Sequence, residues 1–94
     1  MSDTILTRHP DRDKQGVRIS RAKYAQVRAA ILATLKARGE MTFGDLGRAV
    51  EQRLSGKFEG SARWYYTTVK LDMEARQELL RVPGTRPQRV RLAA

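Results

Sequence analysis

In the stretch RVPGTRPQRVRL, Arg81, Arg86, Arg89 and Arg91 are interleaved with apolar residues on either side of a Pro-Gly-Thr-Arg-Pro turn. Guanidinium groups on such a period-two pattern can present paired N–H donors to phosphate oxygens, the chemistry of contact with a nucleic-acid backbone. Charge on an edge strand also blocks edge-to-edge aggregation, so the pattern has a purely protective use as well. A second basic set, Arg21, Lys23, Arg28, Lys36 and Arg38, falls within residues 20–38 with no acid among it. A third group, Arg63, Tyr66, Thr67 and Lys70, lies in ARWYYTTVKLDMEAR. There Arg63 could take a guanine bidentately, worth about 1–3 kcal/mol of discrimination.

The formal charge of the 94 residues is +9, from 19 Lys and Arg against 10 Asp and Glu. This balance points to a polyanionic partner, nucleic acid before an anionic membrane surface. The excess is uneven. Residues 39–76 carry six charges of each sign, whereas residues 77–94 carry four arginines against Glu78 alone. A neutral centre flanked by basic segments still suits phosphate contact outside and a few side chains at base edges inside.

Other chemistry is poorly provided for. Without cysteine there is no disulfide, thiolate metal site or thiol nucleophile. The one histidine, His9, stands beside Pro10 and reads as a solvated side chain. Neither a helical His pair, a glycine-rich phosphate loop nor a Ser-His-acid set can be assembled, so no catalytic residues, metal or cofactor are expected. No secretory signal or membrane span is evident, and the expected location is the cytoplasm.

These side chains need elements to hold them. Residues 1–19 mix both charges with Pro10 and Gly16 and read as a flexible N-terminal arm, with one domain over residues 20–94. Ser20 is a good N-cap, and Ile19 can staple onto Tyr24. A helix over about 21–38 follows from the spacing of Tyr24, Val27, Ile31 and Leu35, with Gly39 after it. Thr42 and Asp45 form a capping-box-like pair, with Met41 and Leu46 as a second staple, for a helix over about 43–54. Residues 40–42 are an edge strand or a plain connector. After the loop SGKFEGS, Ser61 caps a third helix. The period then changes to two at Leu80 and Val82, and again at Val90 and Leu92, which predicts a hairpin.

The expected core comprises Tyr24, Val27, Ile31, Leu35, Leu46, Val50, Leu54, Trp64, Tyr65, Val69, Met73, Leu80, Val82 and Val90. Trp64, Tyr65 and Tyr66 could in principle stack on bases, but helical spacing carries Trp64 and Tyr65 into the apolar stripes and leaves Tyr66 as the contact. Small residues at Ala25, Ala29 and Ala33, with Leu32 on the flank, line a second face of the first helix. Such a face can meet its copy in a homodimer, or be covered by the arm or the C-terminus.

Three helices followed by a two-stranded antiparallel hairpin resemble the winged-helix form of the helix-turn-helix, an α+β fold, over about Ser20 to Leu92. RISRAKYAQVRAAIL at 18–32 and WYYTTVKLDMEAR at 64–76 look like segments of small bacterial winged-helix proteins of unknown function. The resemblance implies that Gly84 to Pro87 is the wing, and that Arg63, Tyr66, Thr67 and Lys70 line the exposed side of a reading helix. The loop between helices two and three is longer than the three-to-four-residue turn of a simple helix-turn-helix. The expected function is binding of double-stranded DNA, in a transcriptional regulator, with Arg21, Arg28 and the wing arginines on phosphates. The alternative is a winged-helix protein–protein module that meets an acidic partner. Membrane attachment fits least, because no large exposed Trp, Phe or Leu face is available for insertion.

Overall fold

The computed structural model describes residues 3–93. Five strands and three helices follow in the order β1 (Thr4–Leu6), β2 (Arg18–Ser20), α1 (Arg21–Arg38), β3 (Met41–Thr42), α2 (Phe43–Leu54), α3 (Ala62–Ala75), β4 (Leu79–Val82) and β5 (Arg89–Leu92). The domain is mixed α+β, with two antiparallel sheets.

Each helix begins where a hydroxyl can take an otherwise unpaired first-turn N–H. Ser20 Oγ accepts from the Lys23 amide at 3.3 Å, Thr42 Oγ1 from Asp45 at 3.1 Å, and Ser61 Oγ from Trp64 at 3.1 Å. Ile19 and Tyr24 are both buried, as a staple requires. At its other end α1 closes through the Gly39 amide, which donates to the Leu35 carbonyl at 2.8 Å. The helices pack against one another around Val27, Ile31, Leu46, Val50, Val69 and Met73, all fully buried. Each such side chain contributes about 1.5–3 kcal/mol of transfer free energy.

The hairpin is one part of a three-stranded sheet in the order β3-β5-β4. β3 pairs with the free edge of β5, Met41 opposite Val90 and Thr42 opposite Arg89, and the Phe43 amide donates to the Gln88 carbonyl at 2.8 Å. The expected two-stranded hairpin thus gains a third strand, and of the two alternatives for residues 40–42 the edge strand is the one formed, because Met41 and Thr42 find the open side of β5. Register corrects the core as well. Leu79 opposes Leu92 and Arg81 opposes Val90, so buried Leu79 and Val90 share the helix-facing side. Leu80 and Val82 pair with Arg91 and Arg89 on the other face and are only half-buried. The pair Leu79-Leu80 left the register open by one residue, and such a shift exchanges faces.

The N-terminal segment also departs from expectation. Instead of a flexible arm over residues 1–19, Thr4, Ile5 and Leu6 pair antiparallel with Ser20, Ile19 and Arg18. Thr7, buried, extends the ladder through its amide to the Val17 carbonyl at 2.8 Å, and its Oγ1 accepts from the Val17 amide at 2.9 Å. Gly16 makes this possible: a Cβ there would lie 1.6 Å from the Thr7 carbonyl oxygen. Beyond the strands, the Arg8 amide donates to Asp72 Oδ1 at 2.8 Å, tying the segment to α3. Residues 1, 2 and 94 of the expected arm and domain lie outside the described residues.

Candidate nucleic-acid interface

α3 is rotated relative to the sequence reading. Its buried residues are Tyr66, Val69, Lys70, Asp72 and Met73, whereas Trp64 is 47% exposed and Tyr65 half-buried. Tyr66 is therefore no outward contact. It is fully buried, its ring lies 5.1 Å from that of Phe43, and its hydroxyl donates to the Phe43 carbonyl at 2.7 Å. Burial pushes the phenol pKa well up. The rotation rests on Gly47 of α2, where a Cβ would come within 2.8 Å of the Tyr66 ring. With three aromatic residues in succession, periodicity could not select which of them faces inward.

Lys70 is corrected in the same way. Only 2% exposed, it lies 3.0 Å from Glu74 and donates to Gln88 Oε1 at 2.6 Å, with the Phe43 ring centroid 4.8 Å away. Burial lowers its pKa, opposed by the Glu74 carboxylate. A lysine spent on joining α3 to the hairpin is not available to DNA. Arg63 is partly exposed but sits 3.2 Å from Glu51 of α2. Thr67 is half-buried and returns its hydroxyl proton to the Arg63 carbonyl at 3.1 Å.

The remaining bases divide by whether a carboxylate already holds them. Arg81 grips Glu74 through Nε at 2.6 Å and Nη2 at 3.3 Å, and Arg89 Nε meets Glu40 at 2.6 Å. Arg28 makes a two-nitrogen contact with Glu78. Hydrogen bonds to the carboxylates raise the pKa of Arg28 and of Arg81. By contrast Arg86 and Arg91 are exposed and face no carboxylate among the described residues. The side chains of Arg18 and Arg21, at the entry to α1, donate to the Thr4 hydroxyl and carbonyl at 3.2 Å each and meet no carboxylate among the described residues. Of the predicted cations, Arg86, Arg91 and Arg21 thus have no carboxylate partner among the described residues.

Between α3, the start of α2 and the hairpin lies a groove of about 340 Å³, lined by Phe43, Gly44, Thr67, Lys70, Leu71, Pro87 and Gln88. Its wall is largely apolar. On α1, Ala25, Ala29 and Ala33 are exposed and Leu32 packs partly on the core, so neither the N-terminal strands nor β5 covers the alanine face.

Two features escaped the sequence reading. Asp72, fully buried, accepts from the Tyr24 hydroxyl at 2.5 Å, from Arg76 Nε at 2.9 Å and from the Arg8 amide. Its i,i+4 spacing to Arg76 was the available signal. The exposed Trp64 had no such signal. Among the described residues no group of three His, Asp or Glu could hold a metal, and no helix is long and apolar enough to cross a membrane. The sequence profile of a family of unknown function (DUF6958) matches residues 4–90, a span that takes in the N-terminal strand pair and reaches β5. No curated protein matches the chain.

Proposed function

The chain belongs to DUF6958, a family of unknown function, and we propose that it is a winged-helix protein that binds double-stranded DNA, in the cytoplasm of a bacterium, as a regulator of transcription. The order α1-β3-α2-α3-β4-β5, with β5 central in the sheet, supports the winged-helix reading. The tip at Gly84 to Pro87 would be the wing, and β1 and β2 an addition in front of it. One observation carries the DNA reading. Arg86 and Arg91 of the hairpin, with Arg18 and Arg21 at the head of α1, have no carboxylate partner among the described residues, although neighbouring cations do. Phosphates are the anions that such a distributed set suits. With Tyr66 and Lys70 withdrawn, base contact from α3 reduces to Arg63 and Thr67, so affinity should be mainly electrostatic.

The test is a salt series with a labelled mixed-sequence duplex, read by anisotropy. About four phosphate contacts give a slope of log affinity on log salt of roughly −3.6. Arg86→Gln with Arg91→Gln should make it shallower by about 2, while Arg81→Gln with Arg89→Gln should move it by less than about 1, since Glu74 and Glu40 already hold those two. Absence of binding at low salt, or equal slopes for all three proteins, would sink the proposal. The groove beside Phe43 and Leu71 favours a second reading, a module for a protein partner whose acidic residues meet the same free arginines. Capture of such a partner with no duplex affinity would select it.

A further inference from the structure

We propose that the aromatic cluster at the start of α3 is a binding site for single-stranded nucleic acid, separate from the hairpin. Trp64 is the bulkiest of the exposed apolar side chains, at 47%. It is positioned rather than loose. Its ring stands edge-on to Tyr65 at 5.0 Å and 81°, Tyr65 stands edge-on to Phe58 at 5.1 Å and 73°, and Ser61 caps the backbone at Trp64 itself. Tyr65 and Phe58 pack in turn on the hydrophobic core, so the chain of rings anchors a half-exposed indole.

Lys23 borders these rings, and Lys57 stands next to Phe58 in the chain. Lys23 Nζ of α1 lies 5.2 Å from the Tyr65 centroid and 5.7 Å from that of Phe58. Gln26, one turn further along α1, donates to the Lys57 carbonyl at 3.3 Å and so holds the loop that carries Lys57 and Phe58 against the helix. Among the described residues neither lysine has a carboxylate partner, and Glu59, the one acid of that loop, has no cationic partner. Three separate elements, α1, the 55–61 loop and α3, thus converge on a patch of flat π faces with a net positive charge.

The ligand chemistry follows. A nucleotide offers a flat base to the indole and a phosphate to the lysines. Bases of a duplex are already stacked on one another and offer no free face, so the unpaired strand is the form that fits. An apolar peptide would use the rings but leave both lysines without an anion.

The full chain is titrated with labelled oligothymidylate of about 12 nucleotides, within the range covered by one small single-strand-binding module, and separately with a mixed-sequence duplex. Trp64 is the only tryptophan, so its emission reports directly on the site. The strand is expected to quench Trp64 and shield it from acrylamide. Trp64→Ala should weaken strand binding about five- to 140-fold, as loss of one stacked base does, with Trp64→Phe losing less. Duplex affinity should stay within about twofold. Lys23→Gln with Lys57→Gln should flatten the strand's salt slope by about 1.4. Unquenched Trp64, or strand affinity unmoved by both sets of substitutions, would overturn the proposal; so would equal losses for strand and duplex, which would merge the patch with the duplex surface. If Trp64→Ala does not fold, parental quenching and the lysine variant decide. The Arg86→Gln, Arg91→Gln protein separates the two readings, because only the duplex should lose affinity in it.

Discussion

Tyr24→Phe removes a single oxygen from the buried node that joins α1, α3 and the N-terminal segment. Asp72 accepts three kinds of donor there: the Tyr24 hydroxyl at 2.5 Å, Arg76 Nε at 2.9 Å and the Arg8 amide at 2.8 Å. A hydrogen bond to a charged acceptor contributes about 1.5–3 kcal/mol. Phenylalanine keeps the ring, and Asp72 keeps its other two donors, so the loss should fall near the lower end, about 1.5–2 kcal/mol. At about 4–8 °C per kcal/mol for a domain of this size, Tm drops by about 6–16 °C. The same bond has a pH signature. Burial, then the hydrogen bond from the phenol to Asp72 and that carboxylate's charge, push the Tyr24 pKa up to about 12. A folded pKa raised above the ordinary value of about 10 means that the neutral phenol's contribution is complete below pH 10 and is lost as pH rises toward 12. Tyr66, raised by its own burial, adds a loss of the same sign in both proteins. Urea unfolding followed by circular dichroism at neutral pH and at several pH values above 10 should therefore show Tyr24→Phe less stable at neutrality, with the gap to the parent closing in alkali. Equal stability at neutral pH, or a parallel alkaline decline, would refute the account of this node.

Gly16→Ala should separate β1 from β2, because its Cβ would meet the Thr7 carbonyl oxygen at 1.6 Å, backbone that cannot give way locally. Hydrogen exchange at the Thr7 and Val17 amides should lose protection, and retained protection would contradict this. Gly47→Ala sets a Cβ at 2.8 Å from the Tyr66 ring and at 2.1 Å from the movable Arg63 guanidinium. Overpacking of about 1–3 kcal/mol against a gain in helix propensity of about 1 leaves a net loss of about 1 kcal/mol, and a raised melting temperature would show that α2 and α3 have slack there. Ala29→Glu places a charge in the exposed alanine face of α1 and should lower the dimer population in sedimentation equilibrium if that face is self-complementary; an unchanged mass distribution would remove it as an interface.

What the sequence determined by itself was local. Ser20, Thr42 and Ser61 each act on an amide three residues away, and the stripes Tyr24-Val27-Ile31-Leu35 and Leu46-Val50-Leu54 are set by a period within one helix, so the helix starts and two of the three buried faces were legible. The tertiary structure decided the rest, because the choices there were degenerate in the sequence. Three consecutive aromatics allowed several rotations of α3, and the space above Gly47 admitted Tyr66 and turned Trp64 outward. Adjacent leucines left the register of β4 open until Leu79 met Leu92. The N-terminal ladder needed Gly16 brought against Thr7, and the sheet needed Met41 brought against Val90 from 49 residues away. The charge count pointed to an anionic partner, but which cations remain free for one depended on long-range pairing: Glu40, Glu74 and Glu78 reach Arg89, Arg81 and Arg28, while Arg86 and Arg91, in the same hairpin, find no acid among the described residues. Capping and periodicity act over one or two helical turns, whereas the contacts that choose a face, a register or an ion-pair partner exist only after distant segments have met.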